Sequence, residues 1–209
     1  MFELSTDIKV TDVTDAFVNK VREVLQERAS LAYPGTYEDK MLRRCITDRG
    51  IDRMITSLKK LNYVKFSCIK SPDSQIFLCG ETDDLIFDNV RGNYYNVGPY
   101  FVCISVQSIL DKQLEHIHLF PKRKPLARAR HLHHGVYTPS RYEDIVHPLL
   151  CDEGTCWANI GPSYRSAVGE GDIVDMFRIL YIYLIRLDWS SPLFSDWVSE
   201  VVLPYGERL

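Results

Sequence analysis

The pattern of apolar and polar positions changes its period near residue 62. Upstream, apolar residues recur at helical steps. Val13, Phe17, Val21, Val24 and Leu25 return every three or four positions and would line one face of a helix over 11–33. Thr11 or Asp12 would cap it, because a short oxygen side chain accepts from the free N–H groups of a first turn; Pro34-Gly35 would end it. A second helical stretch is expected over 38–61, broken near Gly50, with Ile51, Met54, Ile55, Leu58 and Leu61 as its stripe.

Downstream the runs are short and β-like, with turn residues between them. They cover 63–69, closed by Ser71-Pro72-Asp73, then 75–79, closed at Gly80, then 85–87, followed by a turn over 89–92. A stronger strand is expected over 98–106 (GPYFVCISV) and another over 115–120 (EHIHLF). The gaps are too short for helical crossovers, which predicts an antiparallel meander. Residues 121–146 read as a polar loop and 147–162 (HPLLCDEGTCWANIGP) as a compact turn-rich segment. Gly171-Asp172 opens a helix over 173–187 that is apolar on nearly every face and therefore buried. Tyr181 and Tyr183 belong to it, and Trp189 and Trp197 are expected to pack the tail onto it. The expected class is α+β: a helical N-terminal region over 1–61, then a second unit over 62–209.

Composition narrows the function classes. With 45% hydrophobic and 25% charged residues in 209, the chain is an ordinary globular one and is neither disordered nor fibrous. At that length it needs no metal or disulfide to fold. A net charge of −3 removes bulk attraction to nucleic acid as the default, so a nucleic-acid partner is not expected. No run of about 18 apolar residues occurs, which argues against a membrane span. The opening MFELSTDIKV has no signal-peptide character. The six cysteines contain no CxxC pair and are read as reduced, in a cytoplasmic protein.

Cys68, Cys79 and Cys103 lie in strand-like runs, where a thiol acts as a small hydrophobe. His131, His133, His134 and His147 cluster in sequence with Cys151 and Cys156, but no paired CxxC supports zinc, and no metal is expected. The phosphate-loop, dinucleotide and G-x-S-x-G patterns are missing, so no cofactor is expected either. Asp83-Asp84 and Glu143-Asp144 fall in predicted loops with nothing to tie them to a cleft. The basic run Lys122, Arg123, Lys124, Arg128 and Arg130 is a solvated face or a protein-binding one.

The informative chemistry lies between His147 and Trp157. The turn Asp152-Glu153-Gly154 would fold the chain so that His147 and Cys156 approach each other. A cysteine beside such a turn becomes nucleophilic when an imidazolium or free backbone N–H groups lower its pKa. A Cys before a Trp is more often packed than reactive, so the local pattern alone does not decide.

The order of features adds to it. Gly98-Pro99-Tyr100-Phe101 lead a strand, and residues 121–125 (PKRKP) follow the next one. Then come His147-Pro148, Gly154-Thr155-Cys156-Trp157 and Ser191-Pro192-Leu193. Over about residues 62–197 this succession resembles the ubiquitin-conjugating enzyme (E2) superfamily. The Cys-Trp pair and the Gly-Asp-Ile-Val helix start are more similar to its bacterial and phage branch. The resemblance implies a ubiquitin-conjugating-like antiparallel meander with C-terminal helices, preceded by a longer helical N-terminal extension than the family usually carries.

It also implies that Cys156 forms a thioester with a ubiquitin-like protein delivered by an E1-like activating enzyme and passes it to an amine. His147 would support the turn, and Ser191 would stand near the acceptor. Where the family has an oxyanion-binding Asn, this chain has Leu149, so Asn159 or a backbone N–H would have to supply the donor. Losing one such donor costs about 10²–10³ in rate. The spacing from His147 to Cys156 is also one residue shorter than usual in the family. The alternative is a catalytically silent relative that uses the same surface, in the manner of RWD-like modules, to hold a partner. A homo-oligomer through an exposed face of the 173–187 helix is a further expectation.

Overall fold

The computed structural model describes residues 11–71, 74–88, 94–114, 118–123, 132–133, 136–137, 147, 150–151, 154–155, 160–185 and 194–208. Its first strand, β1 (Asp12–Val13), is two residues long and precedes α1 (Asp15–Leu31). The expected cap therefore moves: Thr14, not Thr11 or Asp12, accepts from the Phe17 N–H, while the Thr11 hydroxyl donates to the Tyr63 carbonyl at 2.7 Å. The expected 38–61 helix is two helices, α2 (Tyr37–Cys45) and α3 (Asp48–Leu58), capped by Thr36 and Thr47. The break falls at Ile46-Thr47 and not at Gly50, which is helical. A Cβ on Gly50 would lie 2.3 Å from the Arg44 carbonyl oxygen, so glycine is what lets α3 start against the end of α2.

Two sheets follow. In the larger, β1 lies parallel to β2 (Tyr63–Lys70), and β3 (Ile76–Thr82), β6 (Tyr100–Ser105) and β7 (His118–Pro121) continue it antiparallel in the order β1-β2-β3-β6-β7. The α1–α3 segment makes the crossover that a parallel pair requires. Strands β4 (Leu85–Asp88) and β5 (Tyr94–Gly98) leave this run and pair with β12 (Glu207–Arg208) in a three-stranded sheet, order β12-β5-β4. Four antiparallel strands thus follow one another in chain order, but with a hairpin from another sheet inserted among them.

Gly80 does not end β3. It lies within it, where a Cβ would meet the Tyr63 ring at 2.7 Å. The expected 98–106 strand begins at Tyr100, two residues after Gly98, which closes β5 at φ +78°, and Val106 already starts the short helix α4 (Val106–Asp111).

The C-terminal part contains the hairpins β8 (Leu132–His133) with β9 (Val136–Tyr137) and β10 (Leu150–Cys151) with β11 (Gly154–Thr155). Helices α5 (Gly161–Glu170) and α6 (Ile173–Ile185) come next. They meet at Gly171, which has φ +71°, a left-handed value that glycine adopts without strain. The Asp172 carboxylate then accepts from the Asp175 N–H at 3.0 Å and caps α6. The chain ends through α7 (Phe194–Trp197), a π-helical turn (Val198–Val202) and α8 (Leu203–Tyr205). Among the described residues, no helix is long and apolar enough to cross a membrane.

One core joins these elements across residue 62. Phe17 and Val21 of α1, Tyr63 and Phe66 of β2, Leu78 of β3, Val102 of β6 and Phe177 and Leu180 of α6 are all buried in it. Phe66 and Phe177 meet edge to face with ring centres 5.0 Å apart, and the Tyr63 hydroxyl donates to the Phe177 carbonyl at 2.9 Å. Ile173, Met176, Phe177, Leu180, Tyr183 and Leu184 of α6 are buried, in line with its apolar sequence; Ile182 and Ile185 remain exposed.

Beneath this core lies a buried cation. Arg28 is 1% exposed and donates to the Val168 and Gly169 carbonyls at the end of α5, at 2.6 and 2.5 Å, and to Glu38 at 3.0 Å. Glu38 also binds Lys112. One carboxylate thereby links α1, α2 and the residue that closes α4.

Candidate functional site

Chemistry was expected around His147, and that residue is the best defined part of the segment. Its ring is fully buried. The Nε2–H donates to the Leu184 carbonyl at 2.9 Å, in the last turn of α6, where backbone carbonyls have no partner within the helix. The imidazole stacks on Tyr183 with centres 5.4 Å apart and lies 6.4 Å from the Trp197 ring. Trp197 in turn meets Phe87 of β4 edge to face at 5.2 Å. His147 therefore ties the start of the 147–162 segment to α6 and lies beside Trp197 of the tail; Trp189, also expected to pack the tail onto α6, lies outside the described residues.

The electrostatics of this anchor are decided by burial. A helix C-terminus favours an imidazolium, typically by up to about 2 kcal/mol. Burial outweighs that here: it pushes the His147 pKa down from 6.5 to about 4, with the Leu184 bond acting in the opposite sense. His147 is thus a neutral donor at pH 7 and supplies no positive charge to a neighbouring thiol.

Three residues beyond His147 the chain enters the β10–β11 hairpin, with Leu150 opposite Thr155 and Cys151 opposite Gly154. The two strands run antiparallel; Asp152 and Glu153 of the expected turn lie outside the described residues. Cys156, Asn159, Leu149 and Ser191 lie outside the described residues, so of the four expected site residues the structure places only His147. Helix α5 was missed in the sequence. Ile160 gives it no side-chain cap, and Pro162 stands in its first turn.

The described thiols can be sorted by reactivity. Cys45 has its pKa raised by burial and by the Asp172 charge, and Cys68 has its raised mainly by burial. The Cys103 thiol is held well above 9.0 by its hydrogen bond with Cys79 and by burial. Cys79 is buried. Cys45, Cys68 and Cys103 are thus not activated by a lowered pKa. The side chains of Cys151 and Cys156 lie outside the described residues.

The basic run is partly structural. Lys122 pairs with Glu81 at 2.5 Å. Arg123 lies across Gly98, pairs with Asp84 and Glu207 at 3.4 and 3.2 Å and donates to the Asn96 carbonyl, so it clamps the smaller sheet. Lys124, Arg128 and Arg130 lie outside the described residues, as do His131, His134 and the side chains of His133 and Cys151. Among the described residues no group of three or more His, Cys, Asp or Glu is placed to hold a metal ion.

A cleft of about 250 Å³ that the sequence did not suggest opens where α2 and α3 face the α5–α6 joint, with Met41, Cys45, Met54 and Asp172 in its wall. Burial raises the Asp172 carboxyl there, against the Val174 N–H that it accepts from.

No family model, curated protein or solved structure matches the chain. Its function is therefore argued from its own residues.

Proposed function

We propose that the chain is a ubiquitin-conjugating-like transferase in which Cys156 forms a thioester with a ubiquitin-like protein and passes it to an acceptor amine. The observation that carries this reading is the sequence of parts around His147. Four antiparallel strands, β2, β3, β6 and β7, occur in chain order. His147 then fixes the chain to α6, and a hairpin leads it to Gly154-Thr155-Cys156-Trp157. The raised pKa values of Cys45, Cys68 and Cys103 support looking for the nucleophile elsewhere, and the reading assigns it to Cys156.

In this reading His147 is a positioning residue. It holds the base of the hairpin through Leu184 and brings no positive charge to it, because it stays neutral. Asn159 would donate to the oxyanion in place of the missing Asn, and Ser191 would stand near the incoming amine. An E1-like activating enzyme and the carrier protein are the implied partners, and cytoplasm is the implied compartment.

Leu149 supports a second reading. A leucine donates no hydrogen bond, so a chain that only binds its partner would lose nothing by it.

Both are tested by charging. Purified protein is incubated with ATP, an activating enzyme and candidate ubiquitin-like proteins. The enzyme reading expects an adduct that reductant cleaves, that Cys156→Ala removes and that Cys156→Ser converts to a reductant-resistant ester. Binding without any adduct supports the silent module. An adduct that survives in Cys156→Ala places the nucleophile elsewhere.

A further inference from the structure

The face of the larger sheet opposite the main core carries a second chemistry, separate from the 147–157 segment. Cys79 of β3 stands directly opposite Cys103 of β6 in the antiparallel register, and Cys103 in turn stands opposite His118 of β7. Directly opposed residues share one face, with β-carbons about 4.5–5.5 Å apart, and disulfides need about 3.5–4.5 Å. A small adjustment therefore suffices. The two sulfurs are 2.8 Å apart, with Cys79 donating to Cys103. Phe77 completes this buried cluster, and Phe101 and Phe120 pack against it. Cys68 is not part of it, because it opposes Leu78, whose side chain belongs to the main core.

We propose that Cys79 and Cys103 form a reversible disulfide that staples β3 to β6 when the protein meets hydrogen peroxide. Cys103, 5% exposed against 1% for Cys79, is the first to react. Its sulfur attacks one peroxide oxygen, the O–O bond breaks and water leaves, giving a sulfenic acid. The Cys79 sulfur then attacks the Cys103 sulfur, the S–O bond breaks, and a second water carries off the remaining thiol proton. Two thiols are oxidised by two electrons and one hydrogen peroxide is reduced.

Burial makes the first step slow, which suits a staple set by sustained oxidant exposure. It would close the loop of residues 79–103 that contains β4 and β5, constraining the unfolded chain more than the native one. The native register already opposes the two positions, so little strain offsets that gain.

Peptide mapping of the whole protein tests this. After native protein is treated with hydrogen peroxide, thiols are alkylated and the chain is cut with trypsin. The tryptic peptides spanning 71–91 and 92–112 hold Cys79 and Cys103 as their only cysteines. The expected result is a covalent pair of these two peptides, lighter than their sum by two hydrogens and released by reductant. The melting temperature should rise on oxidation and return on reduction. Cys79→Ala and Cys103→Ala, each checked for an unchanged circular dichroism spectrum, should each remove the linked pair. Should either variant fail to fold, the wild-type map alone decides.

The proposal is overturned if 71–91 and 92–112 stay unlinked while either thiol is alkylated or over-oxidised. It is equally overturned if Cys79 or Cys103 links instead to Cys45, Cys68, Cys151 or Cys156. Oxidation of Cys156 appears on its own peptide, so loss of charging activity is not mistaken for the staple.

Discussion

Acid is the perturbation that isolates His147. In the native fold its imidazole is fully buried and donates to the Leu184 carbonyl, and burial lowers its pKa from 6.5 to about 4. In the unfolded chain it titrates near about 6.5. Between those values the unfolded chain binds a proton that the native fold refuses. The contribution is therefore fully present above pH 6.5, declines as pH falls toward 4 and levels off below that.

At about 1.4 kcal/mol per pH unit, the gap sets a ceiling of about 3 kcal/mol. That is a large part of a stability of about 5–15 kcal/mol. The assay is urea unfolding followed by tryptophan fluorescence, which Trp197 beside His147 makes sensitive, from pH 7.5 to 4 in steps. The comparison protein is His147→Phe, which keeps a ring against Tyr183 and Trp197 but loses the bond to Leu184. It should be less stable at pH 7.5 by about 1–2 kcal/mol, the cost of a carbonyl left without its donor. Across the acid window its stability should fall less steeply than that of wild type, by up to about 1.4 kcal/mol per pH unit, so the two curves converge and then cross. Carboxylates such as Glu38 titrate in both proteins and cancel. Equal slopes would refute the reasoning, since His147 would then titrate alike in both states.

Other substitutions probe the frame. Gly50→Ala should destabilise by about 1–3 kcal/mol in urea melts, although alanine in a helix ordinarily gains about 1 kcal/mol over glycine, because the new methyl meets the Arg44 and Cys45 carbonyls. Arg28→Ala should cost about 3 kcal/mol by the same measurement, and Arg28→Lys less, since a lysine retains the charge but not the fork that reaches Val168, Gly169 and Glu38. The Glu38 carboxyl is held below its usual 4.5, with the Lys112 hydrogen bond as the first cause. Its contribution is therefore present above pH 4.5 and is lost as pH falls through its lowered value, and Glu38→Gln should flatten that part of an acid titration of stability.

Elements with a strong period were legible. The stripe of α1, the apolar run of α6 and the strands at 63–70 and 100–105 follow from residue spacing alone, because each buries one face in the same core. What escaped had a weak or misleading local signal. Strand β1 is two residues long and exists only because β2 offers it an edge. Helix α5 contains Gly161, Pro162 and Gly169, which read as turn residues, yet proline suits a first helical turn. Gly80 and Gly98 show that one residue type has two meanings. Gly98 closes a strand at a positive φ, while Gly80 lies inside one, where the Tyr63 ring leaves no room for a side chain. At the candidate site, the importance of His147 was legible and its environment was not. Its partners Tyr183, Leu184 and Trp197 are 36 or more positions away, beyond the reach of any local pattern.

That environment narrows how a thiol at position 156 could be activated. A lowered thiol pKa needs positive charge or hydrogen-bond donors nearby. His147 does not supply that charge, because its ring is neutral and its Nε2–H is already committed to α6. Among the described residues a helix start offers backbone donors. Helix α5 begins at Gly161, five positions after Cys156, and its N-cap residue Ile160 brings no side chain to satisfy the first-turn N–H groups. Those groups carry the positive end of the α5 dipole. On the proposed reading, His147 and α5 divide the work. The histidine is kept uncharged so that it can be buried as an anchor, and a helix start that lacks a side-chain cap would supply the positive field that favours a thiolate.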